Sequence, residues 1–212
     1  MSGVPGLFHP SHLAGWKLVT SAVHAKGGYI YAQLWHAGRT TTFPFTGKPS
    51  VAPSSVPMTG DSGRIPPGHS APVRYADYPP LELTKEHIRS TIDDYCNAAK
   101  MAMEAGFDGV EVHGGNGYLP EQFLSSNINM RTDEYGGSPE KRCRFILELM
   151  EKLAAAVGQE NCAIRLSPFG LFNQARGEQR VQTWSYLCEQ LKGKLPNMSY
   201  ISLIEPVSLG KD

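Results

Sequence analysis

Apolar residues recur at helical spacing over Leu13, Trp16, Val19, Ala22 and Val23 and stop at Gly27-Gly28, which predicts an amphipathic helix with a glycine terminus. Tyr29 to Trp35 (YIYAQLW) is then a short apolar run of strand type. A second helix is predicted from Thr84, whose hydroxyl can cap it. Ile88, Ile92, Tyr95, Ala99 and Met103 lie on its buried face, and Gly106 ends it before the strand Phe107 to His113 (FDGVEVH). Ser138-Pro139-Glu140 combines a capping hydroxyl, a first-turn proline and an acid near the positive end of the helix dipole, and Phe145, Leu149, Met150, Leu153 and Val157 continue the apolar stripe. Cys162 to Leu166 (CAIRL), Trp184 to Leu191 and Tyr200 to Ile204 (YISLI) complete the alternation as strand, helix and strand.

Strands separated by helices imply a parallel sheet, because each right-handed crossover needs a helix to bring the chain back. The rhythm therefore predicts an α/β fold with about four parallel strands, a partial (β/α)8 barrel, as one domain over residues 1–212. A complete barrel of this type takes roughly 250 residues. Between His36 and Leu83 the periodicity vanishes and proline, serine, glycine and threonine dominate. An excursion of that length inside a compact domain is usually functional, and it is expected to form a lid at the mouth of a site.

Charge removes some functions. Lysine plus arginine total 20 and aspartate plus glutamate total 20, so no positive excess exists to attract nucleic acid or an anionic membrane. Cys96, Cys143, Cys162 and Cys188 form no CxxC pair, which suits a reducing, cytoplasmic setting. The opening residues lack the basic and apolar stretches of a signal peptide, and a soluble protein is expected. His36, His69 and His87 have no partners at metal-ligand spacing, and the Gly114 to Gly117 cluster lacks the lysine and hydroxyl of a phosphate loop, so neither a metal nor a Walker-type site is expected.

The densest chemistry follows the FDGVEVH strand, at the sheet end where α/β barrels build active sites: His113-Gly-Gly-Asn116-Gly-Tyr118. Histidine and asparagine three positions apart on a glycine-bent strand exit could both donate hydrogen bonds to one carbonyl oxygen and stabilise negative charge developing there. A phenol is too weak an acid to act as a base near neutrality, but it can protonate a carbon made strongly basic by arriving hydride. Taken alone, three such residues at a strand end more often belong to an ordinary loop than to a catalytic site.

The surrounding sequence narrows the choice. HGGNGYLPEQFL followed by NMRTDEYGGSPEKRCRF, with YAQLWHAGR at 31 to 39 and RLSPFGLFN at 165 to 173, closely resembles the Old Yellow Enzyme family in order and spacing. The resemblance implies an FMN-containing (β/α)8 barrel that passes hydride from NADPH or NADH to the β-carbon of an α,β-unsaturated carbonyl compound. It implies that His113 and Asn116 bind the carbonyl oxygen and that Tyr118 protonates the α-carbon. It implies that Gln33 meets the flavin pyrimidine edge, that Arg165 lies beside flavin N1 and O2, and that Trp35 and Phe172 line the substrate pocket. Arg131, Asp133, Tyr135 and Gly136-Gly137 are expected to fix the loop before a helix. Measured against the family, further strands are expected at both ends, so the chain reads as truncated, with open sheet edges that favour self-association. A non-catalytic remnant or association subunit that does not retain FMN is the alternative. A metal-dependent or Schiff-base barrel enzyme is disfavoured, since no strand-end lysine or cluster of carboxylates and histidines replaces the signature.

Overall fold

A computed structural model describes residues 4–205; the first three residues of the leader reading lie outside the described residues. Helix α1 (Ser11–His24) leads to strand β1 (Tyr31–Leu34). A short helix α2 (Phe43–Thr46) and strands β2 (Val51–Ala52) and β3 (Leu81–Glu82) lie within the long excursion. Then follow α3 (Lys85–Glu104), β4 (Gly109–His113), α4 (Leu119–Leu124), α5 (Pro139–Val157), β5 (Cys162–Leu166), α6 (Arg180–Lys194) and β6 (Tyr200–Leu203). The main sheet runs β1-β4-β5-β6, parallel throughout, with Gln33 opposite Glu111 and His113 opposite Arg165. The partial barrel expected from the alternation of elements is the architecture found.

Strand pleating separates two chemistries. Ala32, Leu34, Val110, Val112, Cys162, Ile164 and Leu166 are buried toward the helices, where they join Ile88, Ile92, Phe145, Leu149, Trp184 and Leu187 in one core. Helix α5 lies between α3 and α6 and packs against both. The residues between, Gln33, Glu111, His113, Arg165 and Ser202, fall on the opposite, concave face. Two helix starts expected from sequence are capped as read: Thr84 Oγ1 accepts from His87 N at 3.1 Å and Ser138 Oγ from Lys141 N at 3.5 Å.

Three features differ from the sequence reading. Only part of the α1 stripe is buried: the Trp16 ring packs on Phe107 at 5.3 Å and Thr20 Oγ1 donates to Ala105 O, whereas Val19 and Ala22 are exposed beside Leu18, itself 75% exposed. That side of α1 meets no other element among the described residues. The excursion from His36 to Leu83 is not featureless, since β2 and β3 pair in parallel inside it. Arg131 pins it from beneath, donating to Pro53 O and Leu83 O while forming a two-pronged ion pair with Asp133. Finally, α4 is a helix of six residues, all buried, too short for periodicity to reveal. Among the described residues, no helix is long and apolar enough to cross a membrane.

Candidate active site

His113 ends β4 on the concave face and is 8% exposed, with Nδ1 buried and unpartnered. Burial, helped by the Arg165 charge on the adjacent strand, lowers its pKa below the ordinary 6.5, so the ring is neutral at neutral pH and carries one N–H to donate. After His113 the chain passes very close to the end of β5. A Cβ on Gly115 would stand 2.9 Å from Ser167 Oγ, so a side chain there would force the two strand exits apart.

The loop then takes two left-handed steps, at Asn116 (φ 56°) and Gly117 (φ 69°). Asn116 N donates to Ser167 Oγ at 2.7 Å, and Asn116 O accepts from Asn173 Nδ2 at 2.8 Å. Gly117 N donates to Glu121 Oε2, and Gln122 Nε2 donates to Gly117 O. These backbone anchors leave the half-buried Asn116 carboxamide without a hydrogen bond to any described residue. The turn brings Tyr118 back beside the strand end: its ring lies 5.1 Å from that of His113 and 5.1 Å from that of Trp35, edge-on to both.

Further along the concave face, Gln33 is exposed and its Nε2 donates to Glu111 Oε1 at 2.6 Å. Arg165 is half-buried and donates through Nη1 to Ser202 Oγ at 3.0 Å, with no acid in ion-pair range among the described residues. Beside Tyr118 a cavity of about 400 Å³ opens, lined by Thr40, Phe45, Arg64, Tyr75 and Phe172. The long excursion thus does wall the mouth of this cavity. Phe172 sits on its rim, 62% exposed, while Trp35 reaches the site through its contact with Tyr118. His113, Tyr118 and Trp35 are therefore gathered at one strand exit, with Gln33 and Arg165 on the same concave face as His113.

Several residues that build the site escaped the sequence reading. Glu121 is 1% exposed on α4 and holds Gly117 N and Ser167 Oγ. Gln122 ties α4 to the first loop through Ala37 O and Arg39 N. Arg39, itself buried, donates to Val56 O, Pro57 O and Asn173 O and so joins the two walls of the cavity. The one available cue was a pair of polar residues, Glu121 and Gln122, in the otherwise apolar run LPEQFL.

The donors present fit the polar edge of a flavin ring. An exposed carboxamide, a guanidinium with unused N–H groups and an imidazole with an orphaned buried nitrogen share a single concave surface. No group of three histidine, cysteine or acidic side chains is arranged to hold a metal among the described residues.

A family model described as the NADH:flavin oxidoreductase / NADH oxidase family matches residues 1–212. The flavin oxidoreductase hxnT of Emericella nidulans is 49% identical over 210 residues, which cover 96% of this chain and 52% of that protein. The 12-oxophytodienoate reductase 1 of Oryza sativa subsp. japonica is 41% identical over 202 residues, covering 95% of this chain and 51% of the reductase. The solved structure of an old yellow enzyme homologue from Zymomonas mobilis superposes with a TM-score of 0.86 at 33% identity, over 94% of this chain and 54% of that one. The chain spans about half the length of the curated relatives it matches. With motif order, parallel half-barrel and family match in agreement, this chain belongs to the NADH:flavin oxidoreductase / NADH oxidase family.

Proposed function

We propose that this chain carries the substrate-reducing half of an FMN-dependent ene-reductase that uses NADPH or NADH to reduce the C=C bond of α,β-unsaturated carbonyl compounds. The observation that carries the reading is the grouping of the His113 and Tyr118 rings at one strand exit, on the concave face that also bears Gln33 and Arg165. Bound FMN would supply hydride to the β-carbon of the alkene.

Each side chain then has a distinct task. His113, held neutral by burial, and the free carboxamide of Asn116 donate hydrogen bonds to the carbonyl oxygen and stabilise the charge that collects there. Tyr118 gives its phenolic proton to the α-carbon, and its ring is steadied between Trp35 and His113. Gln33 would bond the pyrimidine edge of the flavin, and the Arg165 cation would favour negative charge at N1 and O2. The walls formed by Phe45, Tyr75 and Phe172 suit an apolar enone body. Self-association through the outer edges of β1 and β6, each with one neighbour among the described residues, belongs to the same proposal, as does a cytoplasmic setting for its four free thiols.

Flavin absorbance tests the reading. The purified protein titrated with FMN is expected to bind it and to pass electrons from NADPH or NADH to an added enone. A second reading draws on the chain's spanning about half the length of its relatives: a non-catalytic association subunit. A colourless protein that gains no bound colour with added FMN would favour that reading and remove the first.

A further inference from the structure

Asn116 and Gly117, which set the direction of the loop between His113 and Tyr118, both hang from one carboxylate. Gly117 N donates to Glu121 Oε2 at 2.6 Å, and Ser167 Oγ donates to the same oxygen at 2.8 Å. Ser167 Oγ in turn accepts from Asn116 N at 2.7 Å. Two left-handed residues in succession are a costly backbone arrangement that needs outside support, the more so at a non-glycine residue. Glu121 also sits where a carboxylate is itself costly, 1% exposed, with Oε1 buried and unpartnered. A glutamine in its place could accept both bonds without any charge to desolvate.

We propose that Glu121 is the positioning residue of the site: its Oε2 clamps Gly117 directly and Asn116 through Ser167, and so sets where Asn116 and Tyr118 stand relative to His113 at the end of β4. The assignment rests on the reductase reading for what the loop does, but not for the clamp itself.

The clamp has two strengths. Burial raises the Glu121 carboxyl to about 7, against the opposing pull of the Gly117 and Ser167 hydrogen bonds and the Arg180 charge at the start of α6. Other titratable or charged side chains border the region. Arg142 of α5 is engaged with Leu124 O, Gly137 O and Thr183 Oγ1, His113 is neutral, and Tyr118 faces Trp35 and His113. Because both bonds fall on Oε2, a proton taken up on Oε1 leaves them formed but removes the charge that strengthens them. The clamp therefore tightens as pH rises through about 7.

Backbone amide resonances of the full chain test this without flavin or enone. From about pH 5.5 to about 8.5 the Gly117 and Asn116 amides are expected to shift together with one midpoint near 7, and neither shift should occur in Glu121→Gln. Ser167→Ala should abolish the shift at Asn116 and leave it at Gly117, since only one arm runs through the serine. In Glu121→Ala both amides should exchange with solvent about tenfold faster or more while those of β4 keep their protection. Amides that do not respond to pH in the wild type, or a titration that survives in Glu121→Gln, would overturn the assignment. Failure of FMN binding would instead sink the reductase reading and leave the clamp standing.

Discussion

The rings of His113 and Tyr118 lie 5.1 Å apart at an interplanar angle of 64°, although four residues, two of them left-handed, lie between them along the chain. Under the proposed reductase function, the group assigned to polarise the carbonyl and the group assigned to donate the proton are thereby held close together, the spacing needed to act on neighbouring atoms of one small substrate.

Tyr118→Phe removes the proposed proton donor and keeps the ring contacts with Trp35 and His113. In the flavin-loaded protein, enone reduction is expected to slow by about 10²-fold while flavin reduction by the nicotinamide stays nearly unchanged. Stopped-flow measurement of the two half-reactions checks this, and equal slowing of both would contradict the division of labour.

His113→Ala removes a neutral donor held at the strand exit. The rate of enone reduction is expected to fall about 10²-fold or more, by the scale of other oxyanion donors. Titration with a phenolic ligand provides the second measurement: affinity that matches the wild type would argue against carbonyl recognition by this side chain.

Gly117→Ala is expected to be damaging out of proportion to one methyl group. The backbone there has φ 69°, and the added Cβ would lie 2.6 Å from Phe172 O and 2.7 Å from Asn173 Cβ. Strain plus overlap should cost about 1–3 kcal/mol in urea denaturation. The Asn173 to Asn116 bond should be disturbed as well, so a variant of wild-type stability would show that the loop is less confined than its contacts indicate.

Arg39→Met should loosen both walls of the cavity together. The buried guanidinium donates to carbonyls on either side, and methionine fills part of its volume while leaving those carbonyls unpaired. A loss of about 2–4 kcal/mol is expected. Limited proteolysis should show new cleavage near Val56 and near Asn173; protection equal to wild type at both places would refute the linkage.

Glu121→Gln has a pH-dependent effect on stability whose sign follows from the direction of the shift. The folded-state pKa is raised from 4.5 to about 7, so between those values the native state holds a proton that the unfolded chain has released. Wild-type stability therefore declines as pH rises through that window and levels off above it. Glutamine does not titrate, and the stability of the variant relative to wild type should improve by on the order of 3 kcal/mol from pH 4.5 to above pH 7. Chemical denaturation across this range reads the difference directly, and a constant offset would mean that the carboxyl is not buried as described.

Local order along the chain specified the parallel half-barrel, because each helix and strand advertises its buried side through its own spacing and its own caps. Ile88, Ile92, Tyr95 and Ala99 needed no partner to be recognised as one face, and Thr84 and Ser138 marked the ends of their helices. The candidate residues His113, Asn116, Tyr118, Gln33 and Arg165 were legible as well, from a signature with fixed order and spacing. Tertiary structure alone decided which polar groups are buried and what they hold. Glu121 meets Ser167, 46 positions away, and Arg39 meets Asn173, 134 positions away. It also left Val19 and Ala22 of α1 uncovered, although their spacing in the sequence is that of a core-facing stripe. The physical reason is that periodicity records a segment's average preference for water or core, whereas hydrogen-bond partners and burial are set by where distant segments come to rest.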